Sequence, residues 1–211
     1  QYDYVGLKTF IKQRNIMDFN LLFNVFPKKI YPFDYQTYFN SPERFIMVTS
    51  NCLTGEAVYL EEKQDEKRVL DICVATCSLP LLCPIAYVDG IPMVDGGVCD
   101  ALPIRKSEAD GNSRNVIVLT RNKGYRKPVK QQKLPGFVFR KYPELRRELM
   151  LRYQRYNETI EYIEQLEADG KALVIRPIRD VVVDRIERDV DKLTSFYEEG
   201  YACAKAVFEK K

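Results

Sequence analysis

The most constraining feature of the sequence is a hairpin that runs directly into an Asp-Gly-Gly turn. Two short apolar runs, Ile85 to Val88 and Ile91 to Val94, flank Asp89-Gly90. This dipeptide is typical of a type I′ turn, in which both central positions need a positive φ. The second run continues without interruption into Asp95-Gly96-Gly97. We therefore predict an antiparallel hairpin whose second strand delivers a carboxylate into a tight turn. Pro92 places this strand at a sheet edge or a bulge.

The residues after this turn indicate an α/β fold. Pro103 suits the first turn of a helix that Gly111 can close. Asn115 to Thr120 is a short β-rich run of the kind buried in parallel sheets. Strand, Asp-Gly-Gly, helix and strand together predict a βαβ-like unit.

The character of the chain changes after Arg121. Residues 122–136 are polar, basic and rich in turn formers, which is typical of a boundary between domains. We place the boundary so that residues 1–124 form the α/β part and residues 125–211 form a mainly helical extension with one strand. In the extension, apolar residues at helical spacing predict a helix that ends at Gly170 and a last helix from about Val190. A strand is predicted between them, from Ala172 to Arg176.

Histidine is absent from the chain. This excludes Ser-His-Asp and Cys-His machinery and every zinc site that needs imidazole. A general base must then be a carboxylate, a lysine or a tyrosine. The six cysteines form no C-x-x-C pair, so we interpret them as small buried side chains in a reducing compartment. No metal and no cofactor is expected.

Asp95 is the first candidate for chemistry because it ends an apolar strand, and open α/β sheets place their sites at that edge. Gly96 and Gly97 would let the backbone bend sharply and let a neighbouring chain come close. The alternative is a purely structural aspartate that accepts an Asx-turn hydrogen bond, as Asp-Gly pairs commonly do. Asp89-Gly90 provides an internal comparison, because the hairpin turn fully explains the same dipeptide there.

No serine of the chain lies in a nucleophile elbow. Such an elbow needs G-x-S-x-G between a strand and the following helix. The nearest approach, residues 111–115 (G-N-S-R-N), lacks the final glycine and lies between a helix and a following strand. P-loop and G-x-G-x-x-G motifs are also absent. The remaining serines have no glycine frame: Ser41, Ser50, Ser78, Ser107 and Ser195.

Positive charge is concentrated between Arg121 and Arg155, where 12 Lys or Arg stand against two Glu. Such a segment favours an anionic partner or forms a solvated basic face. Each well-placed cation would contribute about 1 kcal/mol at an anionic membrane surface. A nucleic-acid partner is not expected, because Tyr125 and Phe139 alone do not supply a stacking surface. The alternative function is therefore a non-catalytic membrane-surface or protein-interaction module that uses residues 121–155.

Three strings of the sequence resemble the C-terminal half of the patatin-like phospholipase domain found in bacterial cytoplasmic proteins. They are A-T-C-S-L-P from Ala75, V-D-G-I-P-M-V-D-G-G-V-C-D-A-L-P-I from Val88 and N-V-I-V-L-T-R from Asn115. The run F-I-M-V-T-S-N-C-L-T-G from Phe45 fits the same family, as does the extension around Ile175-Arg176-Pro177. The resemblance implies an incomplete three-layer α/β/α domain followed by the helical extension.

The resemblance also implies a function. In this family a Ser-Asp dyad hydrolyses ester bonds of lipids, and the aspartate belongs to a D-G-[GA] motif that matches Asp95-Gly96-Gly97. The general-base role therefore carries to Asp95, and a dyad explains the lack of histidine. The family's oxyanion glycines and its G-x-S-x-G lie N-terminal to all that is present, so the chain is expected to be part of a longer protein.

Further expectations follow from the resemblance and from the basic segment. The parent protein would be a hydrolase of lipids or other esters, and this chain alone would be inactive. A missing N-terminal segment or a second chain would be needed to complete the sheet, whose unpaired edge would otherwise invite association. The protein would be cytoplasmic, and an anionic membrane surface is a further partner to consider.

Overall fold

The computed structural model describes residues 6, 15–129, 134–180, 183–184 and 187–209. A π-helical segment (Leu21–Ile30) opens this part of the chain, and a single 3-10 turn (Gly96–Val98) lies near its middle. The α-helices are α1 (Tyr35–Asn40), α2 (Glu66–Thr76), α3 (Ile104–Ala109), α4 (Pro143–Ala168) and α5 (Val190–Glu209). The strands are β1 (Met47–Asn51), β2 (Ala57–Leu60), β3 (Ala86–Val88), β4 (Ile91–Asp95), β5 (Asn115–Val118) and β6 (Ala172–Ile175). The mixed α/β class predicted from the sequence is confirmed.

The chain divides by its contacts into two compact units. Unit 1 contains residues 1–101 and 130–155, and unit 2 contains residues 102–129 and 156–211. Residues 102–124 therefore pack with the carboxyl-terminal part of the chain, although the sequence assigns them to the first domain. The domain boundary after residue 124 stays a prediction.

Unit 1 contains a four-stranded antiparallel sheet in the order β2-β1-β4-β3. The predicted hairpin is confirmed: β3 and β4 are joined at Asp89 and Gly90, whose φ values of 52° and 78° are both positive. Of the two positions predicted for Pro92, a sheet edge or a bulge, the edge is wrong, because β4 lies between β1 and β3. The proline is tolerated because the β1 ladder ends at Met93, and beyond that point the carbonyl of Pro92 accepts the Cys52 N–H at 2.9 Å.

Side chains of β4 point alternately to two hydrophobic clusters, as expected for a strand covered on both faces. Met93 packs in a cluster with Met47, Val88 and two residues of α2, Ile72 and Ala75. Val94 belongs to a second cluster that contains Cys52, Val98, Leu145 and Leu149. Since the last two come from the amino-terminal half of α4, that half of the helix supports the strand that ends at Asp95.

Unit 2 contains a parallel pair, β5 and β6. The predicted βαβ-like unit from β4 to β5 is wrong, because these strands lie in different sheets. Both edges of β4 are occupied by antiparallel neighbours, so it has no free edge for β5. The parallel partner of β5 is β6, and the connection between them includes α4. The core cluster of the unit consists of Ile104, Leu119, Ile160, Ile163, Leu166 and Val174.

The two helices predicted for the C-terminal extension are present as α4 and α5, and β6 is present between them. The apolar stripe predicted on α5 is largely exposed, with Tyr197 at 72% and Tyr201 at 66%, whereas Cys203 on the same helix is buried. In the described part of the chain, no helix combines the length and apolar character required to cross a membrane.

Candidate catalytic turn

Asp95 lies where β4 ends, and hydrogen bonds fix both its backbone and its side chain. Its N–H donates to the carbonyl of Ser78 at 3.0 Å, and it stands opposite Thr49 of β1 in the strand register. The Oδ1 atom of its half-buried carboxylate accepts the N–H of Gly97 at 2.7 Å. This contact is the Asx-turn hydrogen bond of the structural alternative considered from the sequence. It also orients the carboxylate, so a structural and a chemical role are compatible.

The two glycines after Asp95 are required for different reasons. A Cβ atom on Gly96 would lie 2.3 Å from the backbone oxygen of Val48, so only glycine allows β1 to pass this close. At Gly97 a Cβ atom would lie 2.8 Å from Oδ1 of Asp95 itself. A side chain at Gly97 would therefore force the oriented carboxylate of Asp95 to move. The sequence predicted that a neighbouring segment comes close to the glycines, but not that this segment is β1.

Ser50 stabilises the turn by hydrogen bonds to its backbone, a role that the sequence did not reveal. Its hydroxyl donates to the carbonyl of Asp95 at 2.9 Å and accepts the N–H of Cys99 at 3.2 Å. Its side chain is completely buried. Ser78 is also completely buried, and its hydroxyl donates to the carbonyl of Val74 at 2.8 Å. The hydroxyls of Ser50 and Ser78 thus both donate to backbone carbonyls, and both side chains are shielded from solvent.

Two cysteine thiols lie in the electrostatic neighbourhood of Asp95. Burial raises the pKa of the Cys77 thiol to about 11, and the negative charge of Asp95 adds to this shift. Burial also raises the pKa of Cys83, with a smaller contribution from Asp95. Both thiols are therefore neutral and unreactive at neutral pH. Among the residues that the structure describes, no group of three Cys, Asp or Glu side chains is arranged to hold a metal ion.

Asp100, which lies just after the turn, forms a hydrogen-bonded pair with a tyrosine. The Tyr59 hydroxyl donates to Oδ2 of Asp100 at 2.6 Å. Burial, followed by the hydrogen bond and the charge of Asp100, raises the pKa of Tyr59, so the phenol stays protonated as a donor. Sequence reasoning also missed this pair. Of the two residues, only Asp100 could have been noticed in the sequence, because it closely follows the Asp-Gly-Gly turn.

The basic segment from Arg121 to Arg155 has several of its cations already paired. Arg126 pairs with Glu164 at 2.6 Å, Arg147 with Glu144 at 2.9 Å and Arg155 with Glu148 at 2.7 Å. The segment also crosses between the two compact units. Counting cations along the sequence therefore overstates the charge that is available to an anionic partner.

Comparison with known families gives two matches. Residues 3–106 match the profile described as patatin-like phospholipase, which covers all four strands of the unit 1 sheet and the Asp95 turn. Residues 142–210 match a domain of unknown function (DUF6363), and this range contains the whole of α4, β6 and α5. The comparison with curated proteins found no match.

Proposed function

Residues 3–106 belong to the patatin-like phospholipase family, and from that premise we propose that the chain is the part of a lipid acyl hydrolase that supplies Asp95 as the general base of a Ser-Asp dyad. The observation that carries this proposal is the oriented carboxylate at the end of β4. The hydrogen bond from Gly97 holds it, and the close passage of β1 permits no side chain at Gly96. Fixed orientation is what a base needs if it is to meet one hydroxyl.

The surroundings of Asp95 favour local proton transfer. A carboxylate is a weak base towards a serine hydroxyl, and its efficiency depends on a short hydrogen bond in a site from which water is excluded. The turn is backed by completely buried Ser50 and Ser78 and by the neutral thiols of Cys77 and Cys83. These groups carry no charge that would compete with Asp95 for the proton.

We propose that the nucleophilic serine comes from outside the present sequence, on a preceding segment or a second chain. The sequence contains no G-x-S-x-G, and the two serines that hydrogen bond with Asp95 donate to backbone carbonyls. The hydrolase would then be the parent protein, acting on lipid or other esters in the cytoplasm. The 211-residue chain would be inactive by itself.

The two-stranded sheet of unit 2 supports the need for further chain. Within the described residues β5 pairs only with β6, and the side chains of Val116 and Val118 are 55% and 66% exposed. Isolated two-stranded sheets are marginal in water, and an open edge accepts another strand readily. We propose that a missing strand pairs with this sheet in the parent protein.

The test of the dyad is Asp95→Asn in the full-length parent protein, assayed on a chromogenic ester. Loss of the base should lower kcat by about 10²- to 10⁴-fold. Asparagine keeps the Oδ1 acceptor for Gly97, so the turn should remain folded. The matched control is Asp89→Asn, the same substitution in the hairpin turn, which should leave kcat unchanged.

Near wild-type turnover of Asp95→Asn would remove the general-base role. A fluorophosphonate probe tests the origin of the serine separately. It should label the parent protein stoichiometrically and leave the 211-residue chain unlabelled. Stoichiometric labelling of this chain would show that its own serines suffice.

The alternative function, a membrane-surface or protein-interaction module built on residues 121–155, is less well supported. The ion pairs of Arg126, Arg147 and Arg155 neutralise part of its charge. Co-sedimentation with liposomes separates the two functions. Salt-sensitive binding to anionic but not to neutral liposomes would favour the module, and binding to neither would remove it.

A further inference from the structure

A cleft in unit 2 opens where the two parallel strands end. Its rim consists of Asn122 and Lys123, which follow β5, and Arg176, Pro177 and Ile178, which follow β6. The carboxyl ends of parallel strands are the edge at which α/β proteins bind ligands. The cleft has a volume of about 390 Å³, which lies within the range of small-molecule sites. Position and size therefore both suit a small ligand.

Apart from Glu167, which forms an ion pair with Arg176, the side chains that line the walls of the cleft are apolar. Val174 of β6 and Cys203 of α5 are buried, with 7% and 5% of their surface exposed. Ala206 and Val207 extend the wall along α5. These side chains offer no charge, so this part of the cleft suits a hydrocarbon chain.

The rim of the cleft carries a cation that has no partner among the described residues. Lys123 is exposed and makes no hydrogen bond or ion pair with any residue in the described ranges, although its charge helps to lower the pKa of Glu164. Arg176 forms an ion pair with Glu167, which engages only part of a guanidinium with five N–H donors. An anion at the rim would thus be met by Lys123 and by the remaining donors of Arg176.

One further polar contact lies at this rim. The amide of Asn122 donates to Oδ1 of Asp180 at 2.9 Å, and Asp180 itself does not line the cleft. The Asp180 carboxylate is therefore engaged by Asn122 of the rim, and Lys123 and Arg176 are the cations of the lining that can meet a ligand.

We propose that this cleft binds the anion of a fatty acid, with its carboxylate at Lys123 and Arg176 and its alkyl chain against Val174, Cys203 and Val207. A cationic rim above apolar walls matches an amphiphilic anion. The choice of a fatty acid among such anions rests on the proposed function, because acyl hydrolysis releases one. The unit that contains most of the domain of unknown function would then be a binding site for the reaction product.

The test is a fluorescence titration of the 211-residue chain with 11-(dansylamino)undecanoic acid. Saturable binding of one probe per chain is expected, with displacement by dodecanoate. Dodecanol and a lysophosphatidylcholine with the same alkyl chain should displace the probe at least about tenfold less well, because neither carries a carboxylate. Displacement by dodecanol as effective as that by dodecanoate would overturn the proposal.

Two variants locate the site. Ala206→Trp should fill the cleft and weaken binding at least about tenfold, whereas Ala202→Trp, on the same helix but outside the lining, should not. Lys123→Glu should weaken binding about fivefold or more. Its control is Arg114→Glu, an identical change of charge before the amino end of β5. Equal effects in variant and control, or no saturable binding at all, would overturn the proposal.

Binding is measured at equilibrium and needs no turnover, so its outcome is separate from that of the dyad. Asp95→Asn should bind the probe as the unchanged chain does. If Asp95→Asn keeps full esterase activity in the parent protein, the dyad fails, while saturable binding blocked by Ala206→Trp would still establish the cleft as a site for carboxylate amphiphiles.

Discussion

Two Asp-Gly turns lie six residues apart, one at each end of β4, and they are built in opposite ways. At the hairpin, Asp89 is exposed and forms an ion pair with Arg68 at 2.8 Å, and a Cβ on Gly90 would meet nothing within 4 Å. At the candidate catalytic turn, Asp95 is half-buried, and a Cβ on Gly96 would meet the Val48 oxygen at 2.3 Å.

The difference shows two distinct reasons for the same dipeptide. The hairpin needs Gly90 because its φ is 78°, a requirement of the local backbone alone. The candidate catalytic turn needs Gly96 because strand β1 passes close to it, a requirement of packing between segments distant in sequence. The Asp95 carboxylate is oriented by the backbone N–H of its own turn, whereas the Asp89 carboxylate is held by the side chain of Arg68 at the surface.

The largest expected difference in stability comes from replacing one glycine of each turn with alanine. Gly96→Ala should destabilise the protein by about 3 kcal/mol or more, because the Val48 carbonyl must move and it already accepts the Thr76 hydroxyl at 2.6 Å. Gly90→Ala should cost only about 1–2 kcal/mol, the price of a positive φ. Urea unfolding of both variants checks this. Equal losses of stability would show that the two turns do not differ as described.

An intermediate effect is expected from Ser50→Ala. This variant removes the hydroxyl that bridges the Asp95 carbonyl and the Cys99 N–H. Because both backbone groups lose a buried partner, the free energy of unfolding should fall by about 1–3 kcal/mol. Ser113→Ala in an exposed loop is the control and should change little. A Ser50→Ala protein as stable as wild type would mean that water replaces the hydroxyl.

The smallest effect is expected from Asp89→Asn at the exposed hairpin. The hydrogen bond from Arg68 lowers the pKa of Asp89, so its contribution to stability is present above the pKa of about 3.9 in the unfolded chain and is lost as pH falls through the lower folded value. At pH 7 the variant should reduce Tm by less than about 1 °C. Thermal unfolding from pH 7 to pH 2 should show this difference disappear on acidification, and a difference that grows would contradict it.

Local signals allowed much of the fold to be predicted. Asp89-Gly90 gave the hairpin, and the helical spacing of apolar residues gave α4 and α5, because turn geometry and helix periodicity are properties of short segments. Pairing between distant strands was not predictable in this way. Pro92 suggested an edge strand or a bulge, yet β4 is internal, and the proline is tolerated there because it lies just beyond the end of the β1 ladder.

The candidate site shows the same limit. The Asp95-Gly96-Gly97 motif is visible in the sequence because its residues are adjacent. Ser50 lies 45 residues away from Asp95, and nothing in the string around it marks it as a support for the turn. Its role follows from the antiparallel pairing of β1 with β4, which the sequence alone did not specify.

The hydrophobic cluster behind Val94 has a consequence for how this gene could be cut or recombined. The match to the domain of unknown function begins at residue 142, yet Leu145 and Leu149 complete the core beneath the patatin-like strands. A recombination event at the family boundary would separate β4 from half of its packing. The two segments should therefore be inherited together, and a fusion or expression breakpoint just before Pro143 should destabilise the sheet that contains β4.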